Sequence, residues 1–263
     1  MIQQFYQTFL SRSRDKARLG SLQLQHTGDW LNVVLSMALG LHMKPQEFFL
    51  SFLYRLGAKV FQEEGPCTAC GRDSDVYGDH AISCGNEGER IARHNHLRDA
   101  LFHTAVAAAL GSVKEERAVI PGSNARPADL LIPNWSGGKD AVMDVTVNNP
   151  LQLSLLERSA DSPGHSLNVA FNRKWTKYGE ACLQEGVKFI PLPCETFGAW
   201  HEAALCEIKK LGCALARHLG QDESETVKHL FESLSILLMK GNIALLINRI
   251  PSHPSSHING DPF

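Results

Sequence analysis

The sequence predicts an α/β fold in which a mixed sheet lies between helices. Three observations carry this. Residues 87–111 keep helical apolar spacing. Residues 113–147 switch to short apolar runs separated by turn residues. A second helical stretch, 151–185, then leads into one more apolar run at 186–192. The order helix–strand–strand–strand–helix–strand calls for a single sheet covered by helices.

Residues 1–27 are polar and weakly patterned. "DWLNVVLSMALG" (29–40) predicts a helix with Asp29 as N-cap and Gly40 as stop. "PQEFFLSFLYRLG" (45–57) predicts another, with Pro45 in the first turn and Gly57 at its end. Residues 62–88 are loop-like. "EGERIARHNHLRDALFHTAVAAALG" (87–111) predicts a long helix with Ile91, Leu97, Leu101, Val106 and Leu110 on its apolar side. "VKEERAVI" (113–120), "ADLLIP" (128–133) and "AVMDVTV" (141–147) predict three strands, with Pro121-Gly122 and "NWSGG" as the turns. The helical region 151–185 breaks at "DSPGH" (161–165), and "GVKFIPL" (186–192) predicts a fourth strand. Two amphipathic helices follow, at 197–219 and 222–248. Leu211, Leu215 and Leu219 mark the apolar face of the first, and Asp222 caps the second. The Pro/Ser/His-rich end is expected to fray. The implied organisation is an N-terminal helical segment (1–60), a metal knuckle (61–88), an α/β core (89–200), C-terminal helices (201–250) and a tail (251–263).

With 43% apolar and 21% charged residues and a formal net charge of −2, the chain reads as globular. That balance excludes a broadly basic nucleic-acid coat, so any polyanion site must be a local patch. Residues 1–20 hold Arg12, Arg14, Lys16 and Arg18 without the apolar core of a signal peptide. No uninterrupted apolar window is long enough to predict a membrane span. Three of the seven cysteines sit within 67–84. Cys182, Cys194, Cys206 and Cys213 are scattered over predicted helices and a strand. This distribution reads as a reducing, intracellular compartment with one metal cluster and otherwise ordinary buried thiols.

The cluster is C-x2-C-x9-H-x3-C: Cys67, Cys70, His80 and Cys84. A C-x2-C knuckle supplies two thiolates from one tight turn, and a second short pair closes a tetrahedron around Zn2+. The surrounding polar loop has little core of its own and needs such a staple. Four protein ligands make a closed, structural site that would fix the start of the following helix. The bland reading is three incidental cysteines beside a surface histidine.

Two aspartates sit in the predicted hairpin, where a strand would prefer valine. Alternation places Val142, Asp144 and Thr146 on one face, and Met143, Val145 and Val147 on the other. Asp129 begins the partner strand, so a short hairpin can set the two carboxylates side by side. A divalent cation would relieve their repulsion. Mg2+ or Mn2+ so held can polarise a phosphodiester and activate water. Glu115 and Glu116, on the preceding strand, point to opposite faces, so only one can join the site, and the sequence does not say which. Taken singly, each aspartate has a bland reading, as a turn cap or an arginine partner.

Together these residues carry a resemblance. The element order, an acid in "RPAD" and a second in "DVTV" resemble the PD-(D/E)XK restriction-like nuclease fold. A C-x2-C…H-x3-C knuckle followed by "RHN" (Arg93, His94, Asn95), "RPAD" and "DVTV" is similar to the C-terminal endonuclease region of site-specific non-LTR retrotransposons, over about residues 28–200. That resemblance implies a Mg2+- or Mn2+-dependent DNA endonuclease with Asp129 and Asp144 as metal ligands, a structural Zn2+, and a nuclear location. With the reverse transcriptase body missing, it also implies that the chain is a fragment of a larger reverse-transcriptase polyprotein, a decayed copy of such an element, or a gene derived from one. One departure stands out. The family pattern has a lysine where this chain has Thr146. Lys174 and Lys177, three apart in "NRKWTKYGEA", could supply the amine from the next helix, and Lys139 in the turn is a weaker candidate. For any one lysine the ordinary alternative is a solvated surface. DNA contact would fall to Arg90, Arg93, His94, Arg126 and Arg173, with His96, Arg98 and the two lysines nearby, giving salt-dependent, largely sequence-blind affinity. The bland alternative is that Arg93 and Arg98 pair with Glu89, Asp99 or neighbouring backbone. A homodimer is compatible with all of this.

Two rival readings exist. In one, the fold and zinc persist, the catalytic site is incomplete at Thr146, and the chain only binds DNA or another protein. In the other, the C-terminal helices form a protein-interaction surface.

Overall fold

A tight hairpin forms the centre of the sheet. In the computed structural model, which describes residues 12–33, 41–85, 88–114, 119–120 and 128–249, β4 (Leu130–Ser136) and β5 (Lys139–Asn148) pair antiparallel through Leu130↔Met143, Leu131↔Val142 and Ile132↔Ala141. They are joined across Gly137-Gly138. Both glycines have positive φ (60° and 79°), the tight-turn geometry whose twist matches the two strands. A bulge between Ile132 and Ser136 absorbs the irregular stretch at Asn134, whose N–H donates to the Asp140 carboxylate at 2.9 Å.

The full sheet is ordered β3–β4–β5–β6, with β3 at Val113–Lys114 and β6 at Lys188–Glu195. β3 and β4 are antiparallel, and β5 and β6 are parallel. The predicted mixed α/β order is observed. The first of the predicted strands, 113–120, is extended at Val113–Lys114 and bends at 119–120, while 115–118 lie outside the described residues.

Helix α6 (His165–Gln184) covers one face, where Tyr178 and Cys182 pack on Val142 and Phe189. On the other face, α4 (Glu89–Ala107), α7 (Glu202–Leu219) and α8 (Glu223–Ile247) bury Ala141, Met143, Val145, Ile190 and Leu192. The predicted alternation along β5 therefore holds. A second apolar cluster joins α1 (Ser13–Leu22), α2 (Pro45–Leu56) and α3 (Asp79–Ser83) to Ile243 and Leu246 of α8. A short α5 (Leu156–Asp161) precedes α6. Helix α8 has the length and hydropathy of a membrane span, with a mean hydropathy of 1.7 over its apolar window, but 72% of that window is buried against these elements. Asp222 caps it as expected, accepting from the Glu225 N–H at 2.9 Å.

Several expectations need correction. Asp29 caps no helix. It opens a single 3-10 turn, Asp29–Leu31, and takes His26 Nδ1 at 2.6 Å instead, while 34–40 lie outside the described residues. The weakly patterned start contains α1, whose buried face is Asp15, Ala17, Arg18, Gly20 and Ser21. Polar and small residues on that face hid it from hydrophobic periodicity. On α7 the inward face is Ala204, Ile208, Leu211 and Ala216, and Leu219 is exposed.

On α4, Ile91 and Val106 are exposed, and the buried stripe is Arg93, Leu97, Leu101 and Ala105 at four-residue intervals. Arg93 is thus a core residue rather than a phosphate ligand. Its side chain is buried, Nη1 donates to Asn242 Oδ1 at 2.7 Å, and burial lowers its pKa to about 10. It lies on Gly241 of α8, where a Cβ would come within 2.5 Å of Arg93 Cγ. Truncating Arg93 strands the Asn242 oxygen and opens a hole. Arg93→Ala is expected to cost about 2–4 kcal/mol in urea unfolding, whereas Arg90→Ala at the exposed start of α4 should cost under about 0.5 kcal/mol.

Candidate metal centre and carboxylate site

Cys67 and Cys70 lie on the turn between two short strands, β1 (Gly65–Pro66) and β2 (Asp73–Ser74). The Gly71 N–H donates to the Cys67 carbonyl and the Cys67 N–H to the Arg72 carbonyl, both at 2.8 Å, and Gly71 has a φ of 71°. This turn presents two thiols together. His80 lies on α3 and Cys84 just past its end. Asp75 holds that short helix: its carboxylate accepts from the N–H groups of Tyr77, Asp79 and His80 at 2.9, 3.1 and 2.8 Å. Sequence spacing marked the ligands but not Asp75. The signal that could have found it is the turn-forming D-x-x-G before His80.

The four ligand atoms lie within 4.8 Å of one another, with Cys67 Sγ to Cys84 Sγ at 3.9 Å and Cys70 Sγ to His80 Nε2 at 3.3 Å. A tetrahedron with zinc–sulfur bonds of 2.3 Å needs sulfurs about 3.8 Å apart. The Cys3His set could therefore hold one zinc ion. Hydrogen bonds from Arg72, backbone and then side chain, lower the Cys70 thiol to about 6, toward the thiolate that metal binding requires. Burial raises the Cys67 thiol. The remaining cysteines are free: Cys182 and Cys194 are buried as expected, Cys213 is half-buried, and Cys206 is exposed.

From the knuckle, an open cleft of about 1310 Å³ runs to the end of β5, and its walls include Arg72, Arg90, His94, Thr146, Arg173 and Lys174. The two aspartates stand behind Lys174 and His94 at its end, not in its wall. Asp129 straddles Asp144: its N–H donates to the Met143 carbonyl at 2.9 Å, and its Oδ2 accepts from the Val145 N–H at 2.7 Å. Its Oδ1 lies 3.2 Å from His94 Nε2. Asp144 is buried on the α6 face. Lys174 Nζ donates to Asp144 Oδ1 at 3.0 Å and lies 2.7 Å from Oδ2, which receives no hydrogen bond of its own. The sequence brings these groups together through strand register and a helix that packs back on β5.

No protein-family model and no curated protein matches this chain. The chemistry of the site therefore rests on its geometry. Burial drives the Asp144 carboxyl up to about 6, Asp129 adds repulsion, and Lys174 opposes both. Two neighbouring carboxylates, one buried and one half-buried, are a donor set of the kind a hard divalent cation takes.

The other candidates separate. Lys177 is exposed, with Nζ 4.8 Å above the Tyr178 ring. Thus, of the two helix lysines, Lys174 is the one at Asp144. Lys139 begins β5, at the end far from Asp144. Arg90 and Arg173 are exposed and both line the cleft, and the Arg90 guanidinium donates to the Ser83 carbonyl at 3.1 Å. Arg93 belongs to the core. Glu115, Glu116 and Arg126 lie outside the described residues.

Two outcomes follow. Metal analysis should find one zinc per chain, and chelation should lower Tm by roughly 10 °C or more, because binding energy at such a site is folding energy. The second concerns Asp144. An acid whose folded pKa is raised favours the fold while protonated, and that preference is lost as pH rises from about 4 through about 6. Without divalent ions, Asp144→Asn should therefore be more stable than wild type at pH 8, by about 1–3 kcal/mol in denaturant unfolding. The advantage should vanish by pH 4.

Proposed function

We propose that this chain is a metal-dependent DNA endonuclease with a restriction-like core, similar to the endonuclease region of site-specific non-LTR retrotransposons. The observation that supports it best is the convergence at β5 of Asp129 and Asp144 with Lys174, whose side chain lines the cleft. Asp129 and Asp144 would hold Mg2+ or Mn2+. When bound, such an ion polarises the phosphodiester and makes an attacking water more acidic.

The chain's own groups divide the remaining work. Lys174 takes the place that Thr146 leaves unfilled. Its ammonium, held by Asp144 and open to the cleft on one side, can turn toward the non-bridging oxygens and stabilise charge as it develops there. Arg90 and Arg173 offer guanidinium forks to backbone phosphates. Contacts of this kind to the phosphate backbone make affinity salt-dependent and largely sequence-blind. Placing the amine on a helix accounts for Thr146 without requiring an inactive site. A nuclear location and a link to a larger reverse-transcriptase polyprotein belong to the same proposal.

Supercoiled plasmid incubated with Mg2+ or Mn2+ tests it. Wild type should nick or linearise the DNA. Asp144→Ala and Lys174→Ala should lose at least about 100-fold in rate while retaining DNA in a gel shift. Equal cutting by wild type and Asp144→Ala defeats the proposal. Binding without cutting by wild type favours the non-catalytic module.

A further inference from the structure

His94 was read from sequence as a phosphate contact. Its surroundings give it a different task. Asp129 can share a cation with Asp144 only if its carboxylate is held so that an oxygen faces the space between the two side chains. Two groups pin Asp129. The Val145 N–H takes Oδ2 at 2.7 Å, and His94 Nε2 lies 3.2 Å from Oδ1. His94 Nε2 is thus within hydrogen-bond reach of the one Asp129 oxygen that Val145 leaves free. Without it, one oxygen is free to swing toward the cleft, away from Asp144.

The histidine is itself held from the knuckle side. His94 lies next to Arg93 on α4, and the first turns of that helix are tied down at several points. Arg90 donates to the Ser83 carbonyl at 3.1 Å and Arg93 to the Ile82 carbonyl at 3.4 Å. Both acceptors sit between the ligands His80 and Cys84. Glu89 accepts from Asn248 Nδ2 at 2.9 Å and pairs with Arg249 at 3.3 Å, and Thr68 of the knuckle turn donates to the Asn248 carbonyl at 3.4 Å. A continuous set of contacts therefore runs from the Cys3His cluster through the start of α4 to Asp129.

We propose that His94 is a positioning residue: mounted by the zinc knuckle through α4, it orients Asp129 for the divalent cation. This rests on the nuclease reading above. Under it, the knuckle's part in the reaction is to complete the carboxylate site, over and above any contact with DNA. Groups that orient a ligand in this way typically change metal affinity 10- to 100-fold when removed.

The test uses zinc-loaded full-length chain, with wild type, His94→Ala and His94→Gln compared. Mn2+ binding is read by calorimetry or by the loss of free-ion electron paramagnetic resonance signal, independently of activity. Zinc content and Tm are recorded alongside, and nicking is measured over a range of Mg2+ concentrations. His94→Ala should keep its zinc and its Tm, bind Mn2+ about tenfold or more weakly, and need correspondingly more Mg2+ for half-maximal nicking. His94→Gln, whose amide N–H can reach the same oxygen, should recover most of the loss. Unchanged Mn2+ affinity in His94→Ala overturns the role of His94 while leaving wild-type nicking, and so the nuclease reading, intact. An equal deficit in both variants, or zinc loss in His94→Ala, also overturns it. Absence of Mn2+ binding and cutting by wild type defeats the nuclease reading itself.

Discussion

A charged group in the middle of a buried strand is the constraint on which the rest of this structure depends. β5 is covered on both faces and paired on both sides, and Asp144 lies inside it. Leaving that carboxylate alone in the interior would cost several kcal/mol. Lys174 reaches it only because α6 returns across the sheet at the right phase, and Asp129 approaches it only because the hairpin register is fixed by a two-glycine turn. Even so, the balance of burial against Lys174 leaves Asp144 with a raised pKa. The strand tolerates this unfavourable residue where an aliphatic one would be more stable. Such local conflicts are characteristic of sites that act rather than merely pack.

The second organising feature is α8. Its first half closes the main core beneath the sheet, and its second half closes the cluster made with α1, α2 and α3. The knuckle, which has almost no apolar interior of its own, is thereby seated on a helix that belongs to the rest of the molecule. Arg93 and Asn242 make the polar part of that seam. Asn242 Nδ2 also donates to the Thr196 carbonyl at 2.7 Å, so one amide joins α4, α8 and the segment after β6.

Much of this was legible in the chain. Turn residues and the change from helical to alternating patterning located β4, β5, β6 and the helices around them within a few residues. The cysteine and histidine spacing found a cluster whose atoms do converge. What escaped notice was polar structure in buried places. α1 packs through Asp15, Arg18 and Ser21, and Ser21 donates to the buried Glu195, so its inward face is invisible to an apolar count. Arg93 looked like a DNA ligand because arginine beside histidine and asparagine reads as surface. Only its place on the 93–97–101–105 stripe identifies it as core. The choice between Lys174 and Lys177 could not be made from spacing, since both share a helical side. It took the angle at which α6 crosses β5.

The composition of β6 has a consequence for association. This strand forms one border of the sheet, and Pro191 and Pro193 sit two apart within it, opposite Asp144 and Thr146. Proline has no amide hydrogen, so the donors to β5 come from the alternate residues, and the outward row lacks hydrogens at both proline positions. Beyond them the chain doubles back and occupies the rest of the rim, with Glu195 donating to the Ala199 carbonyl and His201 to that of Pro193. A neighbouring molecule therefore finds no template there for extending the sheet. Edge-to-edge stacking is blocked along this border, and any association on this side of the sheet would have to use side-chain surfaces.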